Sequence, residues 1–322
     1  MSPLYYFFSG KGGVGKTTLA SATAVHLARS GMKVLISSTD PAHSLSDVFD
    51  HPIGHDGVEI EKNLHALEVD SSLRWRENTS RIHESQTTGK GNRKGMNTDA
   101  GDKKKGSKWQ RTFTDMMGAL GEAPGVDEFM SMEILLETMA SGEYDTIIFD
   151  TAPTGHALRL LLLPEMLDGW VGKFLAFREG LGKMGRAVKR IFGGDGASVD
   201  IGESLNEARF MINEAKQILT DKERTLFALV TIPEAMSVLE SARTMNQLEK
   251  HRIPLGVILV NGVQPESDGC EFCKSRREIH KAELSRMRNI AGEVPLRVVY
   301  AQPRVIRGVD ALAELGGSVW GD

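Results

Sequence analysis

The stretch Gly10-Lys11-Gly12-Gly13-Val14-Gly15-Lys16-Thr17-Thr18 constrains this chain more than any other, because a loop of this kind works only between a buried strand and the start of a helix. The apolar run Leu4–Phe8 supplies the strand and Leu19–Arg29 the helix. In that order successive backbone N–H groups converge, and the unpaired amides of the helix N-terminus add to the same positive field. The ligand that fits is a triphosphate such as ATP. Lys16 is expected to reach the β- and γ-phosphates, and Thr17 to place its hydroxyl on Mg²⁺. The competing reading is a glycine loop with no ligand.

With 322 residues, 40% of them hydrophobic, the chain can bury a full core, and residues 1–322 read as a single elaborated α/β domain. Its net charge of −4 argues against dominant nucleic-acid binding, which leaves a basic footprint. No apolar segment approaches the ~18–20 residues of a membrane span, and the N-terminus runs into the first strand without a cleavable leader. A cytoplasmic protein is expected. Cys270 and Cys273 are the two cysteines, which suits a reducing compartment and excludes a disulfide scaffold.

Apolar runs that read as strands recur at Leu4–Phe8, Val34–Ser37, Leu64–Val69, Thr146–Phe149, Leu226–Ile232, Gly256–Val260 and Arg297–Tyr300. Their near-continuous apolar character marks strands buried on both faces. Helical stretches alternate with most of them, at Leu19–Arg29, Met130–Ala140, Leu205–Leu219, Met236–Lys250 and Arg276–Ile290. A doubly wound, mostly parallel sheet follows.

Two segments break that rhythm and are expected to form a helical, partly mobile insertion. The first covers about residues 73–127, and its middle, Thr87–Lys108, is rich in Gly, Lys, Asn, Asp and Ser, the composition of a flexible loop. The second covers about residues 164–202, where Met166, Leu167, Trp170, Val171, Phe174, Leu181 and Met184 fall mainly at helical spacing. Its glycines, among them Gly169, Gly172 and Gly180, each cost a helix interior about 1 kcal/mol relative to alanine. Eight of the fourteen methionines lie between Met96 and Met184. Such side chains suit either a surface for varied apolar ligands or a helical core.

Asp150 ends the strand before Thr151-Ala152-Pro153-Thr154-Gly155-His156. A carboxylate at that strand tip can hold the water shell of Mg²⁺, and a main-chain N–H at Gly155 can approach a γ-phosphate. The segment is expected to act as a switch, ordered by the γ-phosphate and released after hydrolysis. A second acidic segment, Asp40-Pro41-Ala42-His43-Ser44, follows the strand Val34–Ser37. Asp40 is the candidate for orienting the attacking water or accepting its proton. His43 reads either as a γ-phosphate sensor or as a cap on the next helix.

Together, G-K-G-G-V-G-K-T-T, D-P-A-H-S at Asp40–Ser44 and D-T-A-P-T-G-H at Asp150–His156 resemble the arsenite-pump ATPase family, which includes the ATPase of the Get/TRC pathway for tail-anchored membrane proteins. Arg159, Pro124–Glu128, Val260-Asn261 and Gln302-Pro303 with Arg307-Gly308 extend the match over most of the chain. The resemblance implies that Asp40 is the catalytic carboxylate and that Asn261, with Pro303, Arg304 and the loop to Gly308, contacts adenine. It further implies a dimer, in which Lys11 crosses to the partner's nucleotide as an arginine finger would. A lysine merely exposed in its loop is the alternative.

Cys270-Glu271-Phe272-Cys273 has metal-ligand spacing, yet two thiolates fill half of a tetrahedral Zn²⁺ shell. A two-fold axis pairing two copies would complete a four-cysteine zinc site shared between two chains. A redox pair and a shared iron–sulfur cluster are the competing readings. The targeting members of the family carry a similar dimer-bridging cysteine pair, whereas arsenite-pump members commonly duplicate the whole unit and use additional cysteines. This chain has neither a second phosphate loop nor a third cysteine.

Three functions therefore compete. One is a homodimeric ATPase that holds transmembrane helices of tail-anchored clients and delivers them to a membrane receptor, staying peripheral to the membrane. Another is the ATPase subunit of an arsenite efflux pump, and the last is an iron–sulfur carrier ATPase.

Overall fold

The computed structural model describes residues 4–38, 44–54, 57–68, 142–150, 213, 216–267 and 269–321. Contacts divide the chain into two units, Met1–Asp70, Ser131–Leu161 and Lys216–Asp322 in one, and Ser71–Met130 with Leu162–Ala215 in the other. Apart from residue 213, every described residue belongs to the first. The expected insertion segments, about 73–127 and 164–202, lie outside the described residues, as does the expected helix Met130–Ala140.

Among the described residues eight strands form one sheet: β1 (Leu4–Ser9), β2 (Val34–Ser38), β3 (Val58–Glu61), β4 (Leu64–Glu68), β5 (Thr146–Asp150), β6 (Thr225–Thr231), β7 (Leu255–Val263) and β8 (Leu296–Tyr300). Their order is β3-β4-β2-β5-β1-β6-β7-β8. Every pairing is parallel except β3 with β4. The α/β class read from the sequence is what the chain adopts. Strands β2 and β5 are buried at every position, as parallel strands covered on both faces must be.

Helices α1 (Lys16–Arg29) and α5 (Val309–Trp320) cover one face, and α3 (Ala235–Lys250) and α4 (Glu271–Ala291) the other; α2 (Ser44–Phe49) follows β2. On the first face Phe8, Ile36, Ile148 and Val230 pack against Leu19 of α1 and Leu312 of α5. On the second, Leu229, Ile258 and Val260 meet Val238 of α3 with Leu284 and Met287 of α4. Alternation along each strand thus feeds two cores, and Phe7 stacks on Phe149 at 4.8 Å and on Phe227 at 5.9 Å across β5, β1 and β6.

Two elements were not expected from the sequence: β3, which is four residues long, and α5, which contains Gly316 and Gly317, glycines that lower helix propensity; α2 is the helix that the reading of His43 as a cap supposes. Gly316 has a packing reason, since a Cβ there would stand 2.4 Å from the Ala22 carbonyl of α1. Helix α4 also begins five residues earlier than its apolar periodicity indicates, which puts Cys273 inside its first turn and makes Cys270 the N-cap.

Candidate nucleotide site and cysteine pair

All the parallel strands present their C-terminal ends at one edge, and the loop after central β1 lies where the chain turns to β5 on one side and β6 on the other. In open α/β sheets this crevice takes the ligand. Gly10 and Gly15 of the loop have φ of 151° and 92°. A Cβ on Gly10 would stand 2.1 Å from the Val230 carbonyl, and one on Gly15 2.3 Å from Asn261 Nδ2. Side chains at either position would push the loop off β6 and β7. Gly15 is also the N-cap of α1 and contributes no capping side chain, so the first amides of that helix face the ligand crevice.

Lys16, only 7% exposed, donates from Nζ to the Lys11 carbonyl at 3.1 Å. The amine is thereby held over the loop it is expected to serve. Thr17 Oγ1 donates to Asp150 Oδ2 at 2.7 Å and lies 3.2 Å from Ser44 Oγ, while Ser38 Oγ donates to the same carboxylate oxygen at 3.4 Å. Sequence register explains the convergence: Ser38 at the end of β2 pairs with Asp150 at the end of β5, and Asp150 with Phe8 of β1. These are hard oxygen donors gathered in one place, the chemistry Mg²⁺ takes. Thr17, Asp150 and Ser44 would hold it, directly or through water.

Asn261, on β7, donates from Nδ2 to the Val14 carbonyl at 2.9 Å, so it braces the phosphate loop. Pro303 and Arg304 lie in the loop between β8 and α5, where Arg304 pairs with Glu314. The same loop is fastened to the α2 region by Gly308 N donating to the Val48 carbonyl at 2.8 Å and by Arg307 pairing with Asp50 at 2.7 Å. Lys11 takes a different course from Lys16. Its amine stands 3.7 Å from Glu240 of α3, and its side chain is 47% exposed. Gly12, Gly13 and Thr18 complete the loop and the first turn of α1. Asp40, His43, Gly155 and Arg159 lie outside the described residues.

Sequence reasoning assigned no role to Ser38, Ser44, Glu68 or Glu240. Ser44 and Ser38 flank the D-P-A-H segment, but their place beside Asp150 needs the fold; Glu240 carries no motif signal.

The cysteines stand at the start of α4, which follows the C-terminal end of β7. Cys270 Sγ accepts from the Cys273 backbone N–H at 3.2 Å. A hydrogen bond from the Cys273 thiol, then that backbone N–H, lowers the Cys270 pKa, and the same thiol contact raises that of Cys273. Both are half-buried and free, and Phe272 between them is 70% exposed. Among the described residues no group of three or more His, Cys, Asp or Glu gathers to hold a metal. About two turns further along α4, buried His280 accepts the Gln264 N–H at Nδ1 at 3.0 Å, and burial lowers its pKa.

Among the described residues no helix is long and apolar enough to cross a membrane. Comparison with known proteins identifies the family of the chain. The family model of the anion-transporting ATPases matches residues 4–321. An ATPase named GET3B from Arabidopsis thaliana is 35% identical over 343 residues, covering 98% of this chain and 78% of that protein. ATPase ASNA1 homolog 2 from Paramecium tetraurelia is 32% identical over 319 residues, covering 96% and 91%. ATPase GET3 from Malassezia globosa is 32% identical over 294 residues, covering 90% and 82%.

Proposed function

The chain belongs to the anion-transporting ATPase family and hydrolyses ATP, and from that premise we propose that it is a cytoplasmic homodimer that holds transmembrane helices of tail-anchored proteins and hands them to a membrane receptor. ATP binding closes the dimer and hydrolysis opens it. The observation that carries this reading is the cysteine pair at the exposed start of α4. It offers two metal ligands per chain, and no described residue of the same chain adds a third. Two copies would complete one Zn²⁺ shell and join the chains at that end.

Within each chain the loop amides and Lys16 bind the β- and γ-phosphates, and Thr17 and Asp150 hold the cation. Mg²⁺, when bound, neutralises charge between the β- and γ-phosphates. Asp40, the next acidic residue after β2, orients the attacking water or takes its proton. Lys11 leaves Glu240 and reaches the partner's nucleotide. An exposed pair such as Lys11–Glu240 is worth at most about 1 kcal/mol, which leaves the lysine free to make that move. Asn261, Pro303 and Arg304 border the adenine, with Asn261 also bracing the loop.

The client surface is assigned to the segments at 73–127 and 164–202, on their methionine content and apolar spacing. The test is co-expression with a tagged C-terminal transmembrane helix. A soluble complex is expected, lost when Val171→Asp and Phe174→Asp are combined while ATP turnover persists, because a charge in an apolar groove costs several kcal/mol, about 2–7 kcal/mol even for a neutral polar group. Loss of turnover with client capture retained would contradict the assignment. The family's description as anion-transporting favours one second reading, a pump subunit, which requires that arsenite stimulate turnover.

A further inference from the structure

Glu68 closes β4, is 2% exposed, and has no part in the chemistry assigned so far. Its register is informative: Glu68 pairs with Ser38 of β2, which pairs with Asp150 of β5. Two carboxylates therefore stand at the same level of the sheet edge, one strand on either side of Ser38. Asp150 takes the Thr17 hydroxyl. Glu68 takes the start of α2: Oε1 accepts the backbone N–H of Leu45 at 2.7 Å and of Ser46 at 3.1 Å, and Oε2 accepts the Ser46 hydroxyl at 2.7 Å. Ser46 is held in turn by the Ile53 N–H, which donates to its Oγ at 3.0 Å.

The residue immediately before these two captured amides is Ser44, whose hydroxyl lies 3.2 Å from Thr17 Oγ1. A six-residue helix has little stability of its own, so its orientation rests on what grips its ends. A buried carboxylate collecting two amides and a hydroxyl is a strong grip, because charge-assisted hydrogen bonds are about twice as strong as neutral ones. We propose that Glu68 is a positioning residue for ATP hydrolysis: by capping α2 it keeps the Ser44 hydroxyl at the Thr17–Asp150 cation site. Glu68 acts through Ser44 and touches neither nucleotide nor cation. The assignment rests on the ATPase chemistry and is independent of clients, zinc and dimerisation.

The test is a double-mutant cycle on the full chain with Glu68→Ala, Ser44→Ala and the pair. Isothermal titration of ADP with and without Mg²⁺ reads the gain in affinity that the cation gives, in the absence of turnover. Each single variant is expected to lose about tenfold of that gain, the scale for removing an outer partner of a metal ligand, with Mg²⁺-free affinity unchanged. The pair should lose no more than Glu68→Ala alone. Turnover should show a lower kcat and a higher Mg²⁺ requirement at unchanged ATP KM. Glu68→Gln can still accept both amides and should keep most of the gain. If Glu68→Ala does not fold by near-ultraviolet circular dichroism, Glu68→Asp, one methylene too short for all three contacts, replaces it with the same expectation. A wild-type Mg²⁺ gain in the folded Glu68 variant, independent losses that multiply in the pair, or a Glu68→Gln variant as impaired as Glu68→Ala would each overturn the proposal.

Discussion

The nucleotide edge and the start of α4 are built to opposite rules. At the edge, Thr17, Ser38, Ser44, Asp150 and Glu68 come from five separate elements, and each makes a side-chain hydrogen bond to another part of the same chain. At the start of α4 the two cysteines are three residues apart on one element, bond mainly to each other, and border an exposed phenylalanine. The first set is gathered within one chain, since buried polar groups must find partners where they are. The second offers two thiols, which on the proposed reading are half of a metal shell that another copy would complete. On the proposed reading Lys11 belongs with the second kind, because its amine rests on a partly exposed glutamate outside its own phosphate loop.

That contrast can be broken first at the nucleotide edge, where the largest effect is expected. Lys16→Ala should weaken nucleotide binding itself and lower turnover by about 10³-fold, the scale for losing a charge aimed at developing charge, whether the protein is monomeric or dimeric. Fluorescent-nucleotide titration with a phosphate-release assay checks both. Lys11→Ala should instead spare nucleotide binding and lower turnover by about 10²-fold in the dimer, the lower end of the scale for losing one group aimed at developing charge. When wild-type chains are mixed with an excess of this variant, activity should fall out of proportion to the wild-type fraction. A proportional fall would move Lys11 into the class of residues that act within one chain.

Next comes the cysteine pair. Cys270→Ser with Cys273→Ser should release metal and shift the dimer toward monomer at low concentration, seen by sedimentation, while nucleotide affinity per chain stays as it was. Loss of nucleotide binding in that variant would mean that the two regions are not separable. The smallest effect concerns His280, which faces Arg276 and Glu234 and accepts the Gln264 N–H. Its folded-state pKa is lowered, so its contribution is fully present above the ordinary value of 6.5 and is lost as pH falls through the lowered one. Thermal stability should decline over that range, and less so in His280→Asn, measured by calorimetry across the pH series.

The unequal legibility of the two regions in the sequence has the same origin. The phosphate loop, Lys16, Thr17 and Asp150 were readable because one ligand fixes their types and spacing, and the alternating apolar strands placed them at one sheet edge. Ser44 and Glu68 were not, because their role depends on the register of β4, β2 and β5, and register between strands far apart in sequence leaves no local mark. Helix α4 was read late because residues 271–278 hold a single large apolar side chain, Phe272, which faces out. Asn261 was assigned to adenine through resemblance alone; its bond to the Val14 carbonyl is a contact that only the fold reveals.

The claim that nucleotide binding needs one chain and the metal site two is tested most directly by stoichiometry. Native mass spectrometry of the protein purified with its metal and loaded with a non-hydrolysable ATP analogue and Mg²⁺ counts both ligands on the same particle. The expected species is a dimer with one nucleotide per chain and one zinc per two chains. One zinc per chain, or a dimer that persists intact without zinc, would contradict the account.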